Sequence, residues 1–158
     1  MFRNINRKKK ILSNEETLRI LTDHVRGVLA VQGDDGYPYA LPINYYYDPV
    51  DGALYFHSGK FGHKIDAMNR CDKVSFCVYD EGYHEEGDWA LTIKSVIVFG
   101  RAEAVTDIGL AEQACRKLSA QFPVSKEETD EEIAKSLAAT YVFRVVPEHI
   151  TGKWVREA

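Results

Sequence analysis

The sequence predicts a mainly β chain: a six-stranded antiparallel barrel with helices packed around it. Three observations carry this. Six runs rich in β-branched and aromatic residues recur, at residues 27–31, 37–47, 53–58, 73–79, 89–105 and 141–146. Polar turns separate several of them, with Asp34-Asp35-Gly36 and the stretch Asp48 to Gly52 the clearest. No GxGxxG turn follows any strand, which argues against a doubly wound dinucleotide fold.

The elements follow in order. Ser13 and Glu16 form a capping box, and Leu18, Leu21 and Val25 continue at helical spacing, predicting a helix over 14–24. The long strand 37–47 contains Pro38 and Pro42, and Pro42 marks an edge, a bulge or an exposed backbone stretch. After strand 53–58, Gly62 opens a short helix through Ile65 and Met68. Strand 73–79 alternates cleanly, and 80–88 reads as an acidic solvated loop. Gly100 is a bend point in strand 89–105. Helices follow over 108–121 and, behind a second capping box at Ser125 and Glu128, over 127–139. Pro147 ends the last strand, leaving a tail with His149, Lys153, Trp154 and Arg156. No repeat or linker interrupts the chain, so 1–158 reads as one domain with an arm at 1–12.

Bulk properties exclude several classes. A net charge of −4 argues against a nucleic-acid partner. The basic stretch Arg3 to Lys10 is followed by only two apolar residues, Ile11 and Leu12, so it reads as a solvated arm rather than a secretion signal. No run reaches the ~18 apolar residues of a membrane span. Cys71, Cys77 and Cys115 form no CxxC, which suits a reduced, cytoplasmic protein with cysteines as small hydrophobes. His84, Glu85, Glu86 and Asp88 suit a solvated loop better than a metal site, and no metal is expected.

The stretch from Leu54 to Asp66 holds the most chemistry. A strand runs into a small-residue turn carrying His57, Lys60, His63 and Lys64, and a helix begins there. Backbone N–H groups, the helix dipole and a lysine in the first turn make a phosphate site. The blander readings are a barrel-rim role for His57 and a solvated position for Lys64. The run Tyr45-Tyr46-Tyr47 points to core or dimer packing, because neighbours on a strand face opposite sides.

Four motifs in order resemble the pyridoxamine 5′-phosphate oxidase-like superfamily, and most closely its nitroimidazole-resistance branch. They are Asp35 to Tyr45, Tyr55-Phe-His-Ser58, Gly62-His-Lys-Ile-Asp66 and Ser95-Val-Ile-Val-Phe-Gly100, with Glu148 to Lys153 adding to them. The resemblance implies an FMN-binding split β-barrel working as a homodimer, with flavins in clefts between subunits. It implies that Leu41, Pro42, Ile43, Asn44 and Tyr45 present backbone to the flavin ring. Phe56, His57 and Ser58 would line the ribityl chain, and His63 and Lys64 the phosphate, where related oxidases carry Arg-Lys. Ser95 and Val96 lie on the strand that reaches the ring in relatives. Asn44 offers both a donor and an acceptor to such a ring, and Lys94 is a candidate cation near the flavin N1 and C2 carbonyl. Trp154 would cover the flavin or pack at a dimer seam.

By the same resemblance, His63 is the candidate catalytic proton donor. The implied activity is FMN-dependent reduction of a small compound such as a nitroaromatic, with NAD(P)H as a possible donor. The alternatives are a non-catalytic flavin-binding protein, or a haem-binding relative using His57 or His63 as axial ligand. The tail from Ile150 to Arg156 lacks the Arg-x-His substrate motif of vitamin B6 oxidases.

Overall fold

The computed structural model describes residues 1–3 and 5–157. The elements are α1 (Asn14–Asp23), β1 (Arg26–Gln32), β2 (Pro38–Asn44), β3 (Tyr46–Tyr47) and β4 (Leu54–Gly59), then α2 (His63–Arg70) and β5 (Lys73–Tyr79). They continue with β6 (Tyr83–His84), β7 (Leu91–Ala104), α3 (Ile108–Ser119), α4 (Lys126–Ser136) and β8 (Thr140–Glu157). All strands join one antiparallel sheet in the order β2-β1-β5-β7-β8-β4-β3, with β6 on the edge of β7. The sheet curls around an apolar core, so the fold is mainly β with peripheral helices, as the sequence predicts.

Among the described residues eight strands replace the expected six, and both additions are two residues long. The run 37–47 divides at Tyr45. Its N–H donates to the Val25 carbonyl at 2.9 Å and its side chain is fully buried, so it leaves the ladder between β2 and β3. β6 forms inside the acidic loop, where Tyr83 and His84 pair with Thr92 and Leu91.

Pro147 does not end the last strand. β8 continues to Glu157 because the proline sits at an irregularity in the β7–β8 ladder. Phe99 faces His149 and Gly100 faces Pro147, leaving Glu148 as the extra residue of a bulge. A bulge accommodates a residue with no N–H to give. Gly100 is required there, since a Cβ would lie 2.5 Å from the Val146 carbonyl oxygen.

Arg3, Arg7, Lys8 and Lys9 are exposed, as the solvated reading of the arm expects, and the end of the arm docks on the sheet. Ile11 bridges Lys153, the Leu12 N–H donates to the Gly152 carbonyl at 3.0 Å, and Leu12 is buried. Phe2 stacks on His149 with ring centroids 4.8 Å apart. Leu12 gains by covering sheet surface while Lys8 and Lys9 stay in water.

Four fully buried rings fill the barrel. Phe56 stacks on Phe143 at 4.9 Å, and Phe76 meets Phe56 at 5.2 Å and Tyr45 at 4.8 Å edge-on. The Tyr45 hydroxyl donates to the Leu21 carbonyl at 2.7 Å, satisfying its one polar atom and tying α1 to the core. Both capping boxes form, at Ser13 with Glu16 and at Ser125 with Glu128. Among the described residues, no helix is long and apolar enough to cross a membrane.

Two outcomes test this packing. A Cβ at Gly152 would collide with Thr17 of α1. Gly152→Ala should therefore cost about 1–3 kcal/mol in denaturant unfolding, and an unchanged midpoint would show that α1 does not seat on β8. Burial pushes the Tyr45 phenol pKa well above its ordinary value of 10.0, with the Asp23 charge adding to the effect. The unfolded phenol ionises near 10 while the folded one stays protonated, so its contribution is complete below that pH and lost progressively as pH rises from there through the higher folded pKa. Tyr45→Phe should show a smaller stability loss than the parent chain as pH rises above about 10.

Candidate functional site

The site begins where the barrel is not closed. β2 pairs β1 along one edge only, and residues 56–59 of β4 pair β8 while β3 covers only Leu54 and Tyr55. Two partly unpaired strand edges, β2 and the end of β4, are therefore left with backbone N–H and C=O groups to offer. Pro42, Ile43 and Asn44 from β2 line one cleft of about 410 Å³ with His57 from β4 and Arg26 from β1. Arg26 Nε donates to Asn44 Oδ1 at 2.8 Å, which orients the amide. His57 faces Val142 in register and keeps an exposed edge. Desolvation by its surroundings lowers its pKa from the ordinary 6.5, an effect that the exposed edge screens.

α2 starts immediately beyond β4. Gly62, at φ 124°, makes the turn that L side chains rarely adopt, and no side chain caps the helix. The first helical turn therefore keeps donors available to an anion. His63 is the first helical residue. Its ring stacks on Tyr39 of β2 at 4.2 Å, and its Nε2 lies 3.5 Å from Asp34 Oδ2. Arg70, at the other end of α2, donates to Asp34 Oδ1 at 2.6 Å. One carboxylate in the β1–β2 turn thus holds both ends of α2. Lys64 is half-buried and makes no ion pair among the described residues.

The other anticipated residues divide into two sets. Tyr45, Phe56 and Val96 are fully buried core side chains, so only their backbones face outward chemistry. Leu41 is half-buried against the core, and the Ser58 hydroxyl donates to the Gly59 carbonyl at 2.8 Å. Lys94, Ser95 and Trp154 sit far along β7 and β8, near the arm. Lys94 faces Trp154 in register and its Nζ lies 3.5 Å from Glu16 Oε1. Ser95 and Trp154 line a cleft under the arm. Within one chain this second set does not meet the β2–β4 cleft.

Asp34, Tyr39 and Arg26 are site residues that the sequence reading leaves out. Asp34 is legible only as a turn residue, and Tyr39 only as the inward neighbour of Leu41, because both act across the sheet. In the acidic loop, Asp88 is bound by Arg156 at 2.7 Å through each oxygen, and this partner brings its pKa down to about 2. No group of three or more His, Cys, Asp or Glu is placed to hold a metal among the described residues. Burial pushes the Cys77 and Cys115 thiols up from 9.0, which keeps them protonated at neutral pH.

Comparison with known proteins gives this geometry a family. Residues 13–154 match the family described as pyridoxamine 5′-phosphate oxidase. No match is found among curated proteins. Among solved structures, an FAD-binding protein from Mesorhizobium loti is 31% identical, with a TM-score of 0.68 over 92% of this chain and 97% of that one. A candidate 5-nitroimidazole antibiotic resistance protein from Bacteroides thetaiotaomicron is 21% identical, with a TM-score of 0.75 over 94% of this chain and 87% of that one. The FAD-binding protein from Mycobacterium smegmatis is 22% identical, with a TM-score of 0.60 over 93% and 98%. The last two likenesses concern the fold alone. A family match spanning nearly the whole barrel, joined by a relative at 31% identity over almost its full length, settles the classification: the chain belongs to the pyridoxamine 5′-phosphate oxidase family.

Proposed function

We propose that this chain is a flavin-dependent oxidoreductase that binds FMN and reduces a small oxidised compound, of which a nitroaromatic is the class its motifs resemble. The observation that carries the reading is the uncapped start of α2 beside two partly unpaired strand edges, with Lys64 left without a carboxylate. The FAD-binding relative from Mesorhizobium loti supports a flavin, and FAD shares the riboflavin phosphate that FMN carries.

The residues present fit such a group. Lys64 and the free N–H groups of the α2 start would hold a phosphate, the lysine as a point charge and the peptides as directional donors. The backbone of residues 41–45, with Asn44 oriented by Arg26, would meet the ring's alternating donors and acceptors. When bound, a flavin supplies the hydride and electron transfer. His63 holds a proton for the substrate, with its ring position set by Tyr39 and its Nε2 beside Asp34.

Lys94, Ser95 and Trp154 belong to the same site only if a second copy brings them to the β2–β4 cleft. The reading therefore includes a homodimer with each flavin between subunits.

The first test is the purified full-length chain. It should be yellow, and mass spectrometry of the released ligand should find a flavin mononucleotide. A colourless chain that also refuses added FMN rejects the reading. Lys64→Ala should weaken flavin binding about tenfold or more, as loss of a charge-assisted contact worth roughly 1.5–3 kcal/mol, with the thermal midpoint unmoved. Equal flavin retention would remove the phosphate assignment. His63→Ala should slow substrate reduction by about 10²-fold while flavin affinity holds. A rate matching the parent would leave His63 a structural residue.

A further inference from the structure

Among the described residues the β2–β4 cleft holds one permanent cation, Arg26, and no carboxylate lines it. Arg26 opens β1 and faces Asn44 at the end of β2, so the two side chains lie on one face of the sheet. His57 is the other basic group on the lining. Desolvation lowers its pKa, so at neutral pH it adds no charge of its own.

The arginines elsewhere in the folded chain differ. Arg19, Arg70, Arg101, Arg116, Arg144 and Arg156 are each held by a carboxylate. Arg26 makes no ion pair among the described residues. Its guanidinium is only partly used: Nε donates to Asn44 Oδ1 at 2.8 Å, which fixes the plane of the group. That leaves Nη1 and Nη2 as parallel donors, matched to the two oxygens of a carboxylate. The oxygens of a nitro group carry only partial charge, so a full anion is the better partner for this fork.

The rest of the lining suits a flat acid. Pro42 and Ile43 form an apolar wall, and Pro42 has no N–H to compete for the ligand's oxygens. Arg26 is exposed, so its contact gains strength when a ring lies against that wall and shields the pair from water.

We propose that Arg26 sets the substrate class of this site: its free fork holds the carboxylate of an aromatic acid, so the compounds reduced here are anionic. As a statement about a substrate this rests on the flavin reading. As a statement about an anion subsite it rests on the charge of the cleft alone.

The test is calorimetric titration with para-nitrobenzoate and para-nitrobenzamide, which match in shape and differ in charge. The full-length chain, saturated with FMN, should bind the acid about tenfold or more tighter than the amide. That ratio should shrink as salt rises. Arg26→Gln should bring it to within about twofold. Asn44→Asp should do the same, because it hands Arg26 a carboxylate from within the fold. A parent chain that binds both compounds alike overturns the proposal, and so does an Arg26→Gln chain that keeps the parent's ratio. A fall in FMN affinity in Arg26→Gln with the ratio unmoved makes Arg26 a flavin contact and overturns it as well.

Reoxidation of the photoreduced, oxygen-free chain gives a second measurement. The acid should half-saturate at about tenfold lower concentration than the amide, and Arg26→Gln should remove the difference. Equal half-saturation in the parent overturns the assignment. A chain that refuses FMN and still prefers the acid rejects the flavin reading and keeps the subsite. A yellow chain indifferent to the carboxylate keeps the flavin reading and rejects the subsite.

Discussion

The antiparallel pairing of β7 with β8 is the constraint on which the rest of the structure depends. It runs almost the full length of both strands, from Leu91 opposite Glu157 to Ala104 opposite Phe143. β5 builds outward from one side and β4 from the other, so both walls of the barrel take their register from this pair. A one-residue slip would turn Val96, Val98, Phe143 and Val145 from the core to the surface. The bulge at Glu148 bends the pair where Gly100 and Pro147 meet, and its carboxylate is claimed by Arg101 at 2.8 Å. The curl that follows brings the β2 and β4 edges toward a common cleft.

The start of α2 shows how weak contacts set a site. Asp34 is largely exposed, so its bonds to Arg70 and His63 add little to stability. They act on orientation instead. With Tyr39 stacked against it, the His63 ring is held toward β2. Lys64, one residue on, remains unclaimed beside the open helix end. Among the described residues the same division recurs under the arm, where Arg7, Lys10 and Lys153 stay unmatched while Arg101 and Arg156 are neutralised. Positive charge is left available at two clefts of an otherwise acidic molecule.

Local signals in this chain are unusually readable. Ser13 with Glu16 and Ser125 with Glu128 specify helix starts by hydrogen bonds that close within four residues, and both form as read. Strand 73–79 is recovered residue for residue because its alternation matches one buried and one open face. The turn at Gly62 is legible for the same reason, since a glycine, a lysine and a helix start are adjacent in sequence. The misreadings are of another kind. Pro147 stops a strand by local rules, yet the partner strand supplies a bulge there. The basic arm is exposed as its composition suggests, but composition does not show that Leu12 at its end finds a buried place on β8.

The sequence by itself determined the fold class, the helix starts and the cationic turn, because each depends on residues within a few positions of one another. Only the tertiary structure decided that Asp34 and Tyr39 hold His63, that Arg26 orients Asn44, and that Arg7 and Lys10 share a cleft with Lys153 and Trp154. These partners are separated by up to nearly the whole chain, and their meeting is fixed by sheet order and register. That order rests on the pairing free energy of distant strands, which no local pattern encodes.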